Sequence, residues 1–374
     1  MPMRFVQFAD THIGPGEMAN DLRLAFARAC ALAVEHKADL VLLPGDLFDY
    51  ERADRDTSAF IVDALASIGP IRVFVAPGNH DSLNPGSPYL ARWPDNVHIF
   101  EAPEFENLDL PDLDCSITGI AHAHRGITDR LLASPVPAGR FSTRILLFHG
   151  SRDGYKPSEK ETVIPFSDAE LLAQGFTYSA IGHYHSFASI PDARGVTRAA
   201  YSGCIQGRGL DEVGEKFAIV GEIDSEGRVR IDKVEVAQRR IVRVDVDVTG
   251  ARDSGGFFAR IDEAVLSAAR KQDAVYVFAR GLLPLDIDID TAAWESRQPH
   301  FSVSLSLSGV APDYDPDAIA QQSAASPLRS AFVAEMLEKQ QAASDEAERA
   351  MLRDAMYYGL FALDGRRLEP RDVD

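Results

Sequence analysis

Five short segments of this sequence hold side chains that bind metal ions through oxygen and nitrogen. They are Asp10-Thr11-His12, Gly45-Asp46-Leu47-Phe48-Asp49, Gly78-Asn79-His80-Asp81, His149-Gly150 and Gly182-His183-Tyr184-His185. Each alone has an ordinary structural reading. Asp-x-His is a weak pattern, and Gly-Asp after an apolar run is a common strand-to-turn signal. Gly-Asn-His-Asp reads equally as a turn, since Gly and Asn tolerate positive φ. A single histidine at 149 is more often structural than a ligand. Gly-His-x-His is stronger, because imidazoles two apart on an extended chain point the same way. The joint occurrence carries the argument. Carboxylate, amide oxygen and imidazole without thiolate suit manganese, iron(II) or zinc in an open catalytic site rather than a structural zinc site. The donors are too many for one ion. Two ions sharing a carboxylate would use them, and such pairs serve in-line displacement at phosphorus.

The elements that must position these residues follow from the apolar pattern. Arg4–Phe8 is a short apolar run leading to Asp10. Asn20–Lys37 has helical spacing, with Leu22, Phe26, Ala29, Ala33 and Val34 able to share a face. Asp39–Leu43 and Ile71–Ala76 are continuous apolar runs, the pattern of strands buried on both faces, with a helix predicted over Thr57–Ile68. This alternation predicts an α/β sheet with right-handed crossovers. Ligands of such sheets bind outside the carboxyl ends of the strands, where the five segments fall. Further extended segments are expected at Val97–Phe100, Ser116–Ile120, Arg144–Phe148, Tyr178–Ile181, Phe187–Ile190, Thr197–Tyr201, Phe217–Ile223 and Val229–Val236, with one helix at Ser167–Gln174.

Near Gln238-Arg239-Arg240 the pattern starts again. Ile241–Val248 alternates with period 2, Gly256–Lys271 is helical, and Ala274–Ala279 and His300–Leu307 are strand-like. Strand signals stop from Pro312. Two helices are expected, Pro327–Gln341 and Ser344–Phe361, the second beginning at Ser344. The expected division is a catalytic domain over 1–238, a small α+β capping domain over 239–311, and a helical C-terminal segment over 312–374.

Composition narrows the function classes. The 374 residues carry a net charge of −19, with 45% hydrophobic and 25% charged residues, which is globular and excludes global disorder. The acidic balance argues against a basic-surface nucleic-acid binder or a polybasic membrane binder. It does not argue against DNA as a substrate, since bound divalent ions reverse the local field. Three scattered cysteines, Cys30, Cys115 and Cys204, fit a reducing compartment. With no leader pattern and no membrane-spanning apolar run, a cytoplasmic protein is expected.

The ordered set D-x-H, G-D-x-x-D, G-N-H-D, H-G and G-H-x-H resembles the calcineurin-like metallophosphoesterase family. The resemblance implies a four-layer α/β/β/α sandwich. It also implies two divalent ions, manganese first, with iron and zinc as alternatives. Asp10, His12 and His185 would bind one ion, Asn79, His149 and His183 the other, and Asp46 would bridge them. His80 would sit over the phosphate, oriented by Asp81. Tyr201–Gly214, YSGCIQGRGLDEVG, followed by Glu215-Lys216, is similar to DNA repair exonucleases of the SbcD/YhaO type. Ser202 and Phe217 depart from the Pro and Gly common there. Asp49 stands where the archaeal and eukaryotic branch has a catalytic histidine, so that role is not carried over. The similarity implies DNA as substrate and an SMC-like ABC ATPase with a coiled coil as partner. It leaves room for a homodimer and implies no membrane. The chain lacks a P-loop, so ATPase activity would come from the partner.

Several features keep two readings. The QGR loop is a turn between strands, or it brings Arg208 to the substrate. His122 and His124 line the site or lie at the surface, with a second metal pair as the sharper alternative. Tyr89, Arg92 and Trp93 stack on a base or pack under a loop. The C-terminal helices dock on the chain's own second domain or on the ATPase. At the level of function, a nuclease competes with a phosphodiesterase for cyclic nucleotides or other small esters, and with a non-catalytic scaffold.

Overall fold

The computed structural model describes residues 2–50, 54–155, 161–284, 287–321 and 326–363. The chain forms two compact units, Met1–Ile241 and Val242–Asp374. In the first, the order is β1 (Met3–Gln7), α1 (Ala19–Glu35), β2 (Leu40–Leu43), α2 (Arg55–Ser67), β3 (Arg72–Val75), β4 (Val97–Ile99), β5 (Glu106–Leu110), β6 (Cys115–Gly119), β7 (Thr143–His149), α3 (Asp168–Ala173), β8 (Tyr178–Gly182), β9 (Ala188–Pro191), β10 (Thr197–Tyr201), β11 (Phe217–Ile223) and β12 (Val229–Glu235). Two six-stranded sheets result, ordered β12-β11-β1-β2-β3-β4 and β5-β6-β7-β8-β10-β9.

Strand periodicity divides the side chains among three apolar layers. Val6, Val41, Leu43, Val73 and Val75 meet α1 and α2 through Phe26, Ala29, Ile61 and Leu65. Their sequence neighbours Phe5, Leu40, Leu42 and Phe74 face the other way and meet Ile117, Ile145, Leu147 and Ala180 of the second sheet. Leu146 and Phe148 of β7 face the far side, against Leu171 of α3 and the Ile127–Leu132 loop. Strands covered on both faces must read as continuous apolar runs, and the result is a four-layer α/β/β/α sandwich. Buried Gln7 ties the two sheets together. It accepts from the Tyr178 hydroxyl at 2.5 Å and donates to the Ala200 carbonyl at 2.8 Å. The strands β1, β2 and β3 run parallel, as do β6, β7, β8 and β10.

The second unit contains β13 (Ile241–Asp247, whose first residue closes the preceding unit), α4 (Ser254–Ala268), β14 (Ala274–Pro284), α5 (Thr291–Glu295), β15 (Ser302–Asp313), α6 (Pro316–Gln321), α7 (Pro327–Ala342) and α8 (Glu346–Leu363). Its three-stranded sheet, ordered β13-β14-β15, packs on α4 through Phe257, Ile261 and Val265. A smaller core joins α7 and α8 through Val333, Met336, Met356 and Leu360. Residues 322–325 and 364–374 of the expected helical segment lie outside the described residues.

Some elements differ from expectation. The strand β5 was not expected, because ENLDL offers only two apolar residues, Leu108 and Leu110, too short an alternation to stand out, and only Leu110 is buried. β15 runs past Pro312, pairing in parallel with β14 as far as Pro284↔Asp313. As an edge strand it tolerates a proline that an inner strand would exclude. The short helices α5 and α6 are too brief to show a period. At the start of α8, the Asp345 carboxylate rather than Ser344 accepts the Glu348 N–H, at 2.8 Å.

Candidate metal centre

The carboxyl ends of β1, β2, β3, β7 and β8 deliver all five motifs to one rim. Backbone bonds stitch the first two together: Asp10 N–H donates to Gly45 O at 3.1 Å, and Thr11 and His12 N–H both donate to Asp46 O at 2.8 and 3.0 Å. Asp10, His12, Asp46 and His183 all have positive φ, at 51°, 41°, 54° and 110°. Left-handed backbone is rare for such residues and clusters where geometry serves a site. The motif glycines answer to crowding. A Cβ on Gly78 would lie 2.1 Å from Asp46 Oδ1, and one on Gly182 would lie 1.9 Å from Pro44 O.

Asp10, His12 and His185 bring ligand atoms within 4.8 Å of one another, and so do Asp10, Asp46 and His149. His12 Nε2 and His185 Nε2 are 3.1 Å apart. Asp46 Oδ2 is buried and accepts no hydrogen bond. It lies 3.6 Å from His12 Nε2 and 3.3 Å from His149 Nε2, so it reaches an imidazole of each group, and Asp10 belongs to both. Asn79 Oδ1 lies 2.9 Å from His149 Nε2. His183 Nε2 points to the Glu161 carbonyl at 2.9 Å, so coordination by this residue would go through Nδ1. Its ring is 5.1 Å from that of His149. A buried, hydrogen-bond-poor carboxylate facing convergent imidazoles fits divalent cations, and the mixed O/N donor set fits two of them.

The charges agree. Burial pulls the His12 pKa down to about 3, against the pull of Asp49 and Asp46, so the imidazole is neutral at pH 7. Burial would raise the Asp46 pKa, but His149, His12 and His80 outweigh it and hold the carboxyl well below its ordinary value. Burial works against His149 ionisation too, yet Asp46 and Asp10 raise its pKa to about 9. Its two nitrogens meet Pro44 O and Asn79 Oδ1, both at 2.9 Å, so both carry protons in the ion-free protein.

His80 sits beside the ligands. Its N–H donates to Asp46 Oδ1 at 3.0 Å, and its half-buried ring meets His12 edge-on at 4.9 Å. It also forms a cluster of ligand type with His12 and Asp49. Asp81 is employed differently from the expected orientation of His80. Its Oδ1 accepts Gly78 N–H at 2.7 Å, and its Oδ2 accepts Leu47 N–H, Phe48 N–H and the Tyr89 hydroxyl at 2.7, 3.2 and 2.6 Å. It therefore pins the GDLFD loop to the GNHD loop. Burial, then Asp46, raises its pKa to about 6.

Arg208, whose loop kept two readings, a turn or a substrate contact, is held by Asp49 and Glu212. His122 is buried with Nε2 2.9 Å from the carbonyl of His149, while His124 is exposed. Tyr89 and Trp93 stack on each other, with Trp93 packed against the core of the first layer and donating to Tyr89 O at 3.2 Å. The sequence reading missed Glu212, which accepts from His185 Nδ1 at 2.5 Å. Its signal was the four-residue spacing from Arg208.

Residues 3–187 match the family model described as calcineurin-like phosphoesterase. The chain therefore carries a calcineurin-like metallophosphoesterase domain. Among curated proteins it is similar to the uncharacterized metallophosphoesterase YhaO of Bacillus subtilis. The two are 26% identical over 251 residues, covering 66% of this chain and 60% of YhaO. It is also similar to the DNA double-strand break repair protein Mre11 of Aeropyrum pernix, at 26% identity over 286 residues, covering 70% and 67%. The Mre11 of Thermoplasma acidophilum is 28% identical over 271 residues, covering 65% and 68%. Among the described residues no helix is long and apolar enough to cross a membrane.

Proposed function

We propose that this protein hydrolyses phosphodiesters with two divalent ions and that its substrate is DNA. The convergence of five strand-end loops on Asp46 carries the reading. Asp10, His12 and His185 would hold one ion, Asn79, His149 and His183 the other, with Asp46 shared. When bound, such ions supply Lewis acidity to the phosphate and acidify a water. The nitrogen and oxygen donors suit manganese, with iron or zinc as alternatives. His80, tied to Asp46 through its N–H and less buried than its neighbours, donates a proton to the leaving oxygen. Asp81 keeps the two loops in register around it. The names of the Mre11 relatives support DNA over small esters. The net charge of −19 places affinity in the site and in a partner rather than in a basic surface.

The partner in this reading is an SMC-like ABC ATPase docking on α7 and α8, in a cytoplasmic setting that suits three free, buried cysteines. Leu328 on α7 and Met351 on α8 are exposed, beyond the small core the helices share. Manganese-dependent digestion of end-labelled duplex and single-stranded DNA, run beside cyclic nucleotides and bis-nitrophenyl phosphate, tests the substrate. Cleavage of the small esters alone would move the assignment to a small-molecule phosphodiesterase. No cleavage with both ions bound would leave a scaffold. Unchanged ATPase binding after deletion of residues 327–374 would remove the docking site.

A further inference from the structure

The loop after β10 closes a ring of charges behind one half of the metal centre. Arg208 Nη1 donates to Asp49 Oδ1 at 3.0 Å, and its Nη2 donates to Glu212 Oε1 at 2.9 Å. Its Nε and backbone N–H donate to Glu212 Oε2 at 3.3 and 2.8 Å. Each carboxylate then reaches an imidazole. Glu212 accepts from His185 Nδ1 at 2.5 Å, and Asp49 Oδ1 lies 3.3 Å from His12 Nδ1, a contact off the line of a hydrogen bond. The two imidazoles meet again through Nε2 atoms 3.1 Å apart. The Glu212 side chain is 1% exposed, so its charge is balanced inside this ring.

A carboxylate at Nδ1 keeps the proton there and leaves the Nε2 lone pair for a cation. One planar guanidinium serves both carboxylates, a task its fixed fork suits and a lysine ammonium performs poorly. The other group is held differently. His149 Nδ1 rests on Pro44 O and His183 Nε2 on Glu161 O, both main-chain carbonyls.

We propose that Arg208 is a positioning residue for the first ion, acting through Asp49 and Glu212 to set His12 and His185, while the second ion is independent of it. This rests on the reading that Asp10, His12 and His185 hold a cation. Asp49 then has a task of its own in the GDLFD motif, in place of a catalytic histidine.

The test is manganese binding to the full chain, by titration calorimetry and by metal content after dialysis. Electron paramagnetic resonance reports whether the two ions are paired. Arg208→Met should keep one ion at wild-type affinity, weaken the other about 10–100-fold, and abolish the paired-ion signal. Arg208→Lys should restore part of that affinity. Two ions at wild-type affinity in both variants, or equal weakening of both ions, would overturn the proposal. If Arg208→Met does not fold, the ratio of the two affinities in Arg208→Lys decides, and an unchanged ratio overturns it. A wild-type protein binding fewer than two ions would instead overturn the two-ion reading.

Discussion

Gly78→Ala measures how tightly the metal loops are packed. The added Cβ would lie 2.1 Å from Asp46 Oδ1 and 2.7 Å from Asp46 N. Carbon and oxygen in contact settle at about 3.3 Å, so one partner must move by roughly 1 Å. Neither moves easily. The Asp46 carboxylate is buried and takes the His80 N–H on that same oxygen. The backbone of Gly78 is held by its own N–H to Asp81 Oδ1. Overpacking of this kind costs about 1–3 kcal/mol. For a unit of this size, that lowers Tm by roughly 2–12 °C. A shift of about 1 Å also exceeds the ~0.5 Å a constellation of ligands tolerates. Because Asp46 reaches an imidazole of each group, both ions should be lost or severely weakened. Calorimetric melting and metal content after manganese dialysis check the two halves. Gly126→Ala is the control: a Cβ there meets open space, without a positive φ. It should leave stability within about 0.5 kcal/mol and both ions in place. Wild-type Tm and two tightly bound ions in Gly78→Ala would refute the claim that motif glycines exist to let the loops close on Asp46.

Two further outcomes follow from the site. His80→Ala should retain both ions and lose about 10²–10⁴-fold in kcat, read by metal analysis beside steady-state hydrolysis of bis-nitrophenyl phosphate; loss of both ions would make His80 a ligand. His149, raised to about 9 in the ion-free protein, contributes stability that is fully present below its unfolded value near 6.5 and is lost as pH rises through about 9. A cation must displace its Nε2 proton, so manganese uptake at pH 7 should release about one proton and strengthen as pH rises toward 9. Calorimetry in buffers of different ionisation enthalpy reads this directly, and buffer-independent heats would contradict it.

Much of the site was legible from sequence because its parts are local. An apolar run buried on both faces must be a central strand, and a polar motif closing such a run must stand at the strand's carboxyl end. Three such motifs therefore had to share one rim of the first sheet and two one rim of the second, the packing of the two sheets brought those rims together, and the donor types pointed to cations at an open site. The same locality explains the misses. ENLDL pairs as β5 only because β6 offers it an edge. β15 continues past Pro312 because, among the described residues, it is the edge strand of its sheet.

What the tertiary structure alone decided is how charges far apart in the chain neutralise one another. No spacing rule reveals that Asp81 accepts from Leu47, Phe48 and Tyr89, since those bonds depend on two loops meeting. Nor could the sequence tell whether Arg208 faces a phosphate or a carboxylate. Either would satisfy a guanidinium, and the choice was made by Glu212 together with Asp49, the latter 159 residues away. Residue type and local period determined the strands, the rim and the donor set. The pairing of buried charges required the fold, because burial makes an unpaired charge too costly to leave alone.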